Sequence, residues 1–360
     1  MRITGARLRR ETLPLSRPYR VTGRTTDSVE AMVLVLTTDA GDAGLGAATP
    51  EPSVTGETPD ACEAALAPEA LGWLDGADPR SLGALCGEAR RRMRGVPGAL
   101  AAVDMALHDL FARGLGVPLA DALGRVHETL RTSVTIGIQP EDDAVALADE
   151  LVGKGFRILK VKIGECLEDD LTVLRRLRER FGYDVALRAD ANAGYTPEEA
   201  VAFFERAEPL RLEFVEQPVP PGEGGLRRLP VRLREKVAAD ESVHDERDAL
   251  ALAASPPACG IFNVKLMKCG GIRPALRIGS IAGAAGISLM WGCMDESVIG
   301  ISAALHAALA CPSTRYLDLD GSFDLARDVA RGGFLLEGGR MTVNEEPGLG
   351  AALLESASRR

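Results

Sequence analysis

Charged residues recur in this chain at the ends of short β-branched runs, and their types suit proton-transfer chemistry. Lys160 and Lys162 close the run ILKVKIG, Asp190 and Asn192 close VALRADAN, and Glu216 closes LEFVEQP. Asp240 and Glu241 end KVAADES, Lys265 and Lys268 follow IFNV, Glu296 lies just past ISLMWGC, and Asp318 and Asp320 end RYLDLD. Asp190, Glu216 and Asp240 fall on three successive runs. Three hard oxygen ligands leave octahedral positions for water and substrate, the usual way of holding Mg²⁺. Lys160 and Lys162 are two residues apart, so on a strand they face the same way. Neighbouring cations disfavour each other's charge, which predicts lysines of lowered pKa, suited to general-base work near neutral pH. Lysines on two sides of one substrate carbon are what inversion of that carbon requires.

The elements that must position these residues follow from the same runs. From Thr132 onward, eight β-branched runs (SVTIGI is the first) alternate with amphipathic segments such as EDDLTVLRRLRERFG and TPEEAVAFFERAE. That rhythm predicts a (β/α)₈ barrel, an α/β fold whose active site forms at the C-terminal ends of the strands. Residues 1–125 read as an α+β capping domain, with ITGARLRRETL and EAMVLVLTTDAG as antiparallel strands and a helix from Gly98 to about Gly114. Residues 126–322 are the expected catalytic barrel. The tail, about 323–360, returns to Gly-rich strand-like sequence and is expected to rejoin the first domain.

Composition narrows the function class. The 360 residues carry 42 Lys plus Arg against 52 Asp plus Glu, a net charge of −10, which gives no electrostatic footprint for nucleic acid or anionic membrane. The seven cysteines are widely spaced without a CxxC, so reduced thiols are expected in place of a disulfide framework or zinc site. Charges interrupt every apolar run of the N-terminus, and no stretch is long enough to span a bilayer. A cytoplasmic enzyme, a homo-oligomer acting on a small molecule, is the expectation.

In order along the chain, KVKIG, RADANAGYT, EQP, ADES and NVKLMKCGGI resemble the signature segments of the enolase superfamily, in the branch of muconate lactonizing enzymes and dipeptide epimerases. The resemblance covers almost the whole chain. It implies Mg²⁺ held by Asp190, Glu216 and Asp240, with Lys162 and Lys268 as the two acid/base catalysts and Lys160 assisting electrostatically. The choice of Lys268 over Lys265 comes from the resemblance alone. RYLDLDGSF resembles the DxD segment of dipeptide epimerases such as the L-Ala-D/L-Glu enzymes, which implies that Asp318 and Asp320 bind a substrate α-ammonium. Two fixed anions at a barrel mouth need such a cation. Arg24, in RPYRVTGR, resembles a loop arginine that holds an acidic substrate side chain, and Thr135 and Glu296 are expected to line the substrate as well. The implied reaction is a 1,1-proton transfer that epimerises a dipeptide, Ala-Glu being one candidate. N-acylamino-acid racemase and o-succinylbenzoate synthase share the scaffold but leave the two aspartates unexplained. A metal-free Schiff-base lyase or a non-catalytic binding protein would not need three metal-spaced acids. GLGAATP departs from the family's GxGEAxP, with Ala47 or Ala48 where an acid is usual.

Overall fold

The computed structural model describes residues 1–21, 24–222 and 224–354. Three antiparallel strands open the chain: β1 (Ile3–Val21), β2 (Arg24–Thr38) and β3 (Ala43–Ala48), in that order across the sheet. Residues Ala31–Leu36 of β2 are all buried, as their unbroken apolar run requires of a central strand covered on both faces. The short helices α1 (Pro52–Thr55) and α2 (Pro59–Leu66) lead to α3 (Leu82–Arg92), the long α4 (Pro97–Leu115) and α5 (Leu119–Leu123). Helix α4 is rich in alanine and buried almost throughout, so backbones approach it closely. A Cβ on Gly46 would lie 1.9 Å from the Ala102 carbonyl oxygen, and one on Gly44 would lie 2.4 Å from that of Ala106. Ala47 and Ala48 are buried beside this contact, and so is Glu57. Its carboxylate accepts from the backbone N–H of Gly98 (2.7 Å) and Ala99 (3.2 Å), at the positive end of α4.

After the two-residue β4 (Leu130–Arg131), eight parallel strands form one curled sheet in sequence order. They are β5 (Val134–Ile136), β6 (Ile158–Lys162), β7 (Ala186–Asp190), β8 (Val215–Glu216), β9 (Val237–Ala239), β10 (Ile261–Val264), β11 (Ser288–Trp291) and β12 (Thr314–Leu317). A parallel bridge between Thr132 and Leu317 joins the first edge to the last. The expected eight runs are these eight strands. Between them lie α6 (Glu141–Gly153), α7 (Leu167–Phe181), α8 (Pro197–Ala207), α9 (Val231–Arg234), α10 (Glu246–Ala253), α11 (Leu266–Cys269), α12 (Ile272–Ala284) and α13 (Val298–Ala310). Helix starts are encoded locally. Thr196 and Glu199 form a reciprocal capping box with Pro197 in the first turn of α8, and Asp245 and Asp248 do the same for α10. Helix α13, VIGISAALHAALA, is apolar all round and buried on nearly every face, as that pattern demands.

The eighth unit differs from the seven before it. Among the described residues no helix follows β12; the chain turns instead into a small-stranded tail. Strand β13 (Ala330–Gly332) pairs with β16 (Ala351–Leu353), and β14 (Phe334–Glu337) and β15 (Arg340–Val343) form a sheet with β4. Leu325 bridges Leu15 of β1, and the Leu349 N–H donates to the buried Asp109 carboxylate on α4 (2.8 Å). Segments such as GGFLLEGGR are too glycine-rich to extend a helix.

The barrel interior is layered by the two-residue period of its strands. Phe214, Ala238, Ile261 and Met290, with Tyr316 packed against them, form one apolar layer. Arg188 caps it, its guanidinium 5.2 Å from the Phe214 ring centre and 5.1 Å from that of Tyr316. The Arg188 guanidinium donates to the Leu317 carbonyl (2.7 Å), Ser133 Oγ (3.1 Å) and Glu213 (2.7 Å). This plug closes one end of the barrel interior, and two positions further along their strands Asp190, Glu216, Asp240 and Asp318 face the same interior nearer its C-terminal mouth.

Candidate active site

Those further positions are the residues singled out in the sequence. Lys160 and Asp190 are buried on neighbouring strands, and Glu216 follows on the next. The Lys160 Nζ bonds Asp318 directly and lies 3.5 Å from Asp190 Oδ2 and 3.6 Å from Glu216 Oε2. Lys162 donates to Asp190 Oδ2 (2.6 Å) and Asn192 Oδ1 (3.0 Å), so both lysines of the KxK reach the same carboxylate. The lowered pKa expected from their proximity fails for Lys160. Burial alone would lower it, but Asp318, Glu216, Asp190 and Asp320 together outweigh burial and hold the ammonium well above its usual range.

Across the mouth, Asp240 follows β9 and takes two lysines from the sixth strand's end. Lys265 donates to its Oδ2 at 2.7 Å, and Lys268, on α11, bonds its Oδ1 and donates to its carbonyl at 2.6 Å. Burial would raise the Asp240 pKa, but the two ammonium groups win and hold it well below the ordinary carboxylate range. Lys268 lies four strands from Lys162 in an eight-stranded sheet, so the two stand on opposite sides of the mouth.

Glu216 is the site's poorly compensated acid. It is fully buried, its Oε1 accepts from Asn263 Nδ2 at 2.6 Å, and its Oε2 has no hydrogen-bond partner among the described residues. Burial and the neighbouring Asp190 push it up to about 8, against the pull of Lys160. Such a carboxylate, between two more on adjacent strands, fits a hard divalent cation. Its surroundings agree: Asn192 and Ala193 after β7, and Gln217 after β8, all have positive φ (41°, 63° and 34°). Strained backbone of this kind is held by its surroundings and clusters at functional sites. Gln217 ties the ends of β8 and β9 together, accepting from Asp240 N (3.0 Å) and Ser242 N (3.1 Å) and donating to Val219 O (2.8 Å).

At the last strand, Asp318 is already paired. It accepts from Ser133 Oγ at 2.6 Å and bonds Lys160, and these contacts with Arg188 overcome burial to lower its pKa. Asp320 accepts from the Thr135 N–H at 2.7 Å, and burial with the nearby Asp318 pushes it up to about 7. Thr135 thus serves through its backbone. Glu296 is 3% exposed; its Oε1 accepts from Met294 N at 3.0 Å, and its Oε2 has no hydrogen-bond partner among the described residues. Burial, reinforced by Asp295, pushes it up to about 8. Arg24 begins β2, and its side chain lies outside the described residues. Asn263, Ser133 and Arg188 are polar members of this network that the sequence reading did not single out. An asparagine inside the apolar run IFNV and an arginine inside VALRAD were the available signals.

A curled eight-stranded parallel sheet with acids on three adjacent strand ends and lysines facing across them defines a barrel enzyme of the enolase type. Residues 143–357 match the family described as "Enolase C-terminal domain-like" and residues 3–124 the "Mandelate racemase / muconate lactonizing enzyme, N-terminal domain", so the chain belongs to this family of the enolase superfamily. More particularly, it is 54% identical to the L-Lys-D/L-Arg epimerase of Methylococcus capsulatus over 97% of this chain and 99% of that one. It is 35% identical to the L-Ala-D/L-Glu epimerase of Clostridium acetobutylicum, over 94% of this chain and 95% of that one. The crystal structure of the Methylococcus capsulatus dipeptide epimerase with Mg and the dipeptide L-Arg-D-Lys superposes with a TM-score of 0.96 at 54% identity, covering 98% of this chain and 100% of that one. The chain is an isomerase of this superfamily. None of its helices is long and apolar enough to cross a membrane, among the described residues.

Proposed function

We propose that the chain is a Mg²⁺-dependent dipeptide epimerase that inverts the α-carbon next to the substrate carboxylate, and that it prefers cationic dipeptides of the Lys-Arg kind. The observation that carries the chemistry is the placement of Lys162 and Lys268 on opposite sides of the mouth, with Asp190, Glu216 and Asp240 between them. Those three carboxylates would hold the metal. When bound, Mg²⁺ sets a divalent charge against the substrate carboxylate as negative charge builds on the α-carbon. One of Lys162 and Lys268 removes the α-proton and the other returns a proton to the opposite face. Lys160 adds fixed positive charge beside Asp190 and Glu216. Asp320, with Asp318 behind it, receives the α-ammonium.

Two findings support the cationic preference. The relative at 54% identity is an L-Lys-D/L-Arg epimerase, whereas an L-Ala-D/L-Glu epimerase stands at 35%. Glu296 also holds a buried carboxylate oxygen without a partner, next to Asp295, at the end of the seventh strand. A substrate guanidinium or ammonium would satisfy that oxygen and favour the ionised carboxylate beside it. The acidic second residue implied by Arg24 is therefore not part of this proposal. The test is a dipeptide library in D₂O read by mass for α-deuterium. L-Lys-L-Arg should exceed L-Ala-L-Glu in kcat/KM by about tenfold or more, from roughly 1.5–3 kcal/mol for a hydrogen bond to a charged group. A preference for Ala-Glu would remove the cationic part of the reading, and deuterium uptake by no dipeptide would remove all of it.

A further inference from the structure

Helix α4 lies outside the barrel, yet one of its faces is seated directly against the loop that carries Lys268. That loop runs Lys268-Cys269-Gly270-Gly271 from α11 into α12. Gly270 and Gly271 both have positive φ (91° and 116°), a conformation that favours glycine. Space demands glycine as well. A Cβ on Gly270 would meet Leu100 Cδ2 at 2.6 Å, and one on Gly271 would meet Asp104 Cβ at 2.5 Å. Leu100, Asp104 and His108 follow at four-residue spacing and so share one face of α4.

Asp104 is the polar centre of this contact, and it is 1% exposed. Its Oδ1 accepts from the backbone N–H of Ile272 at 2.7 Å and of Arg273 at 3.3 Å, the first residues of α12. Gly271, the residue preceding α12, has no side chain to cap that helix, so Asp104 caps it from another part of the fold. His108 buttresses Asp104 in turn. Its Nδ1 lies 2.7 Å from the Asp104 carbonyl oxygen and 3.2 Å from Oδ1. Cys86, Asp104 and His108 are close enough together to hold a metal ion. However, Oδ1 already serves two N–H donors and the imidazole, so the hydrogen bonds account for the cluster without one.

We infer that Asp104 is a positioning residue for Lys268: through the first turn of α12 and the Gly270-Gly271 loop it fixes one of the two bases and leaves the other alone. Lys162 stands on β6, four strands from the sixth strand's end, and donates to Asp190 and Asn192, neither of them on α4. The inference rests on the two-base reading above, and it separates Asp104 from a residue that merely stabilises the fold. A general stabiliser would affect both bases alike. Asp104 should affect only the proton exchange that Lys268 carries out.

The experiment measures α-proton exchange in D₂O for L-Lys-L-Arg and L-Lys-D-Arg separately, with Mg²⁺ present. Lys268→Ala first identifies which epimer loses its proton to Lys268. In Asp104→Ala, exchange from that epimer should fall at least about tenfold relative to the other, since misplacing a catalytic group by an ångström can cost about 100-fold. Taking the ratio of the two epimers cancels any loss of folded enzyme. Asp104→Asn keeps an acceptor for the two N–H groups without the charge, so its ratio should move only about threefold. A ratio within about twofold of the wild type in Asp104→Ala overturns the inference. If Asp104→Ala yields no folded protein, Asp104→Asn decides, and an unchanged ratio overturns it. Should Lys268→Ala suppress both exchanges equally, the two-base reading itself fails, and the inference falls with it for that distinct reason.

Discussion

Replacing Glu296 by Gln should stabilise the metal-free protein, and the gain should grow with pH. Glu296 is buried, one oxygen has no hydrogen-bond partner among the described residues, and burial raises its pKa from 4.5 to about 8. Below the unfolded value the carboxyl is protonated in both states and imposes no penalty. Between that value and about 8 the folded state holds a proton that the unfolded state has released, so stability falls as pH rises. The slope for one such group is about 1.4 kcal/mol per pH unit. Across pH 5.5 to 7.5 the full effect is therefore about 2.7 kcal/mol, and relaxation around the charge reduces it, so roughly 1–3 kcal/mol is expected. Glutamine does not titrate and leaves that loss out. Thermal unfolding in EDTA at the two pH values measures it, at roughly 1–3 °C per kcal/mol for a chain of this size. The difference in Tm between Glu296→Gln and wild type should widen in favour of glutamine as pH rises. A constant difference, or one that narrows, would show that Glu296 is ionised in the folded protein at pH 5.5 and already compensated by a cation. Glu296→Gln should also cut kcat/KM for L-Lys-L-Arg about tenfold while sparing small neutral dipeptides, from the roughly 1.5–3 kcal/mol of a charged hydrogen bond.

Chelation should abolish turnover and Mg²⁺ restore it, and Glu216→Gln should weaken Mg²⁺ binding in calorimetry while leaving the circular dichroism unchanged. N-acetylation of the dipeptide should cost about 10- to 150-fold in kcat/KM, from roughly 1.5–3 kcal/mol per charge-assisted contact, and Asp320→Asn should erase most of that discrimination. Gly46→Ala should lower Tm measurably without changing KM, because its Cβ would lie 1.9 Å from the Ala102 carbonyl oxygen and force the sheet off α4; overpacking of this kind costs about 1–3 kcal/mol.

The barrel was legible because its strands are short, apolar and evenly spaced, and because polar residues gather where each strand ends. Lys162, Asp190, Glu216 and Asp240 could be read as neighbours from that pattern alone. What the pattern could not convey was the balance of charge among groups distant in sequence. Lys160 was expected to have a lowered pKa from Lys162 beside it, yet it is raised by Asp318, Glu216 and Asp190, each from a different strand. Asp318 and Asp320 read as an equivalent pair, but the first bonds Lys160 and Ser133, whereas the second accepts from the Thr135 backbone N–H. The strand-like tail was legible from its glycines, and the chain does turn into strands after Asp328. Asn263 escaped notice because it is a single polar residue inside an apolar run, although it holds Glu216.

The central claim is that two lysines work on opposite faces of one α-carbon, and stereospecific proton exchange tests it most directly. Lys162→Ala and Lys268→Ala are each incubated in D₂O with the two epimers of Lys-Arg, and deuterium at the α-carbon is followed with the configuration. Neither variant should epimerise. Each should exchange the α-proton of one epimer only, and the two variants should act on opposite epimers. Epimerisation at the wild-type rate by either variant, or exchange of the same epimer by both, would contradict the account.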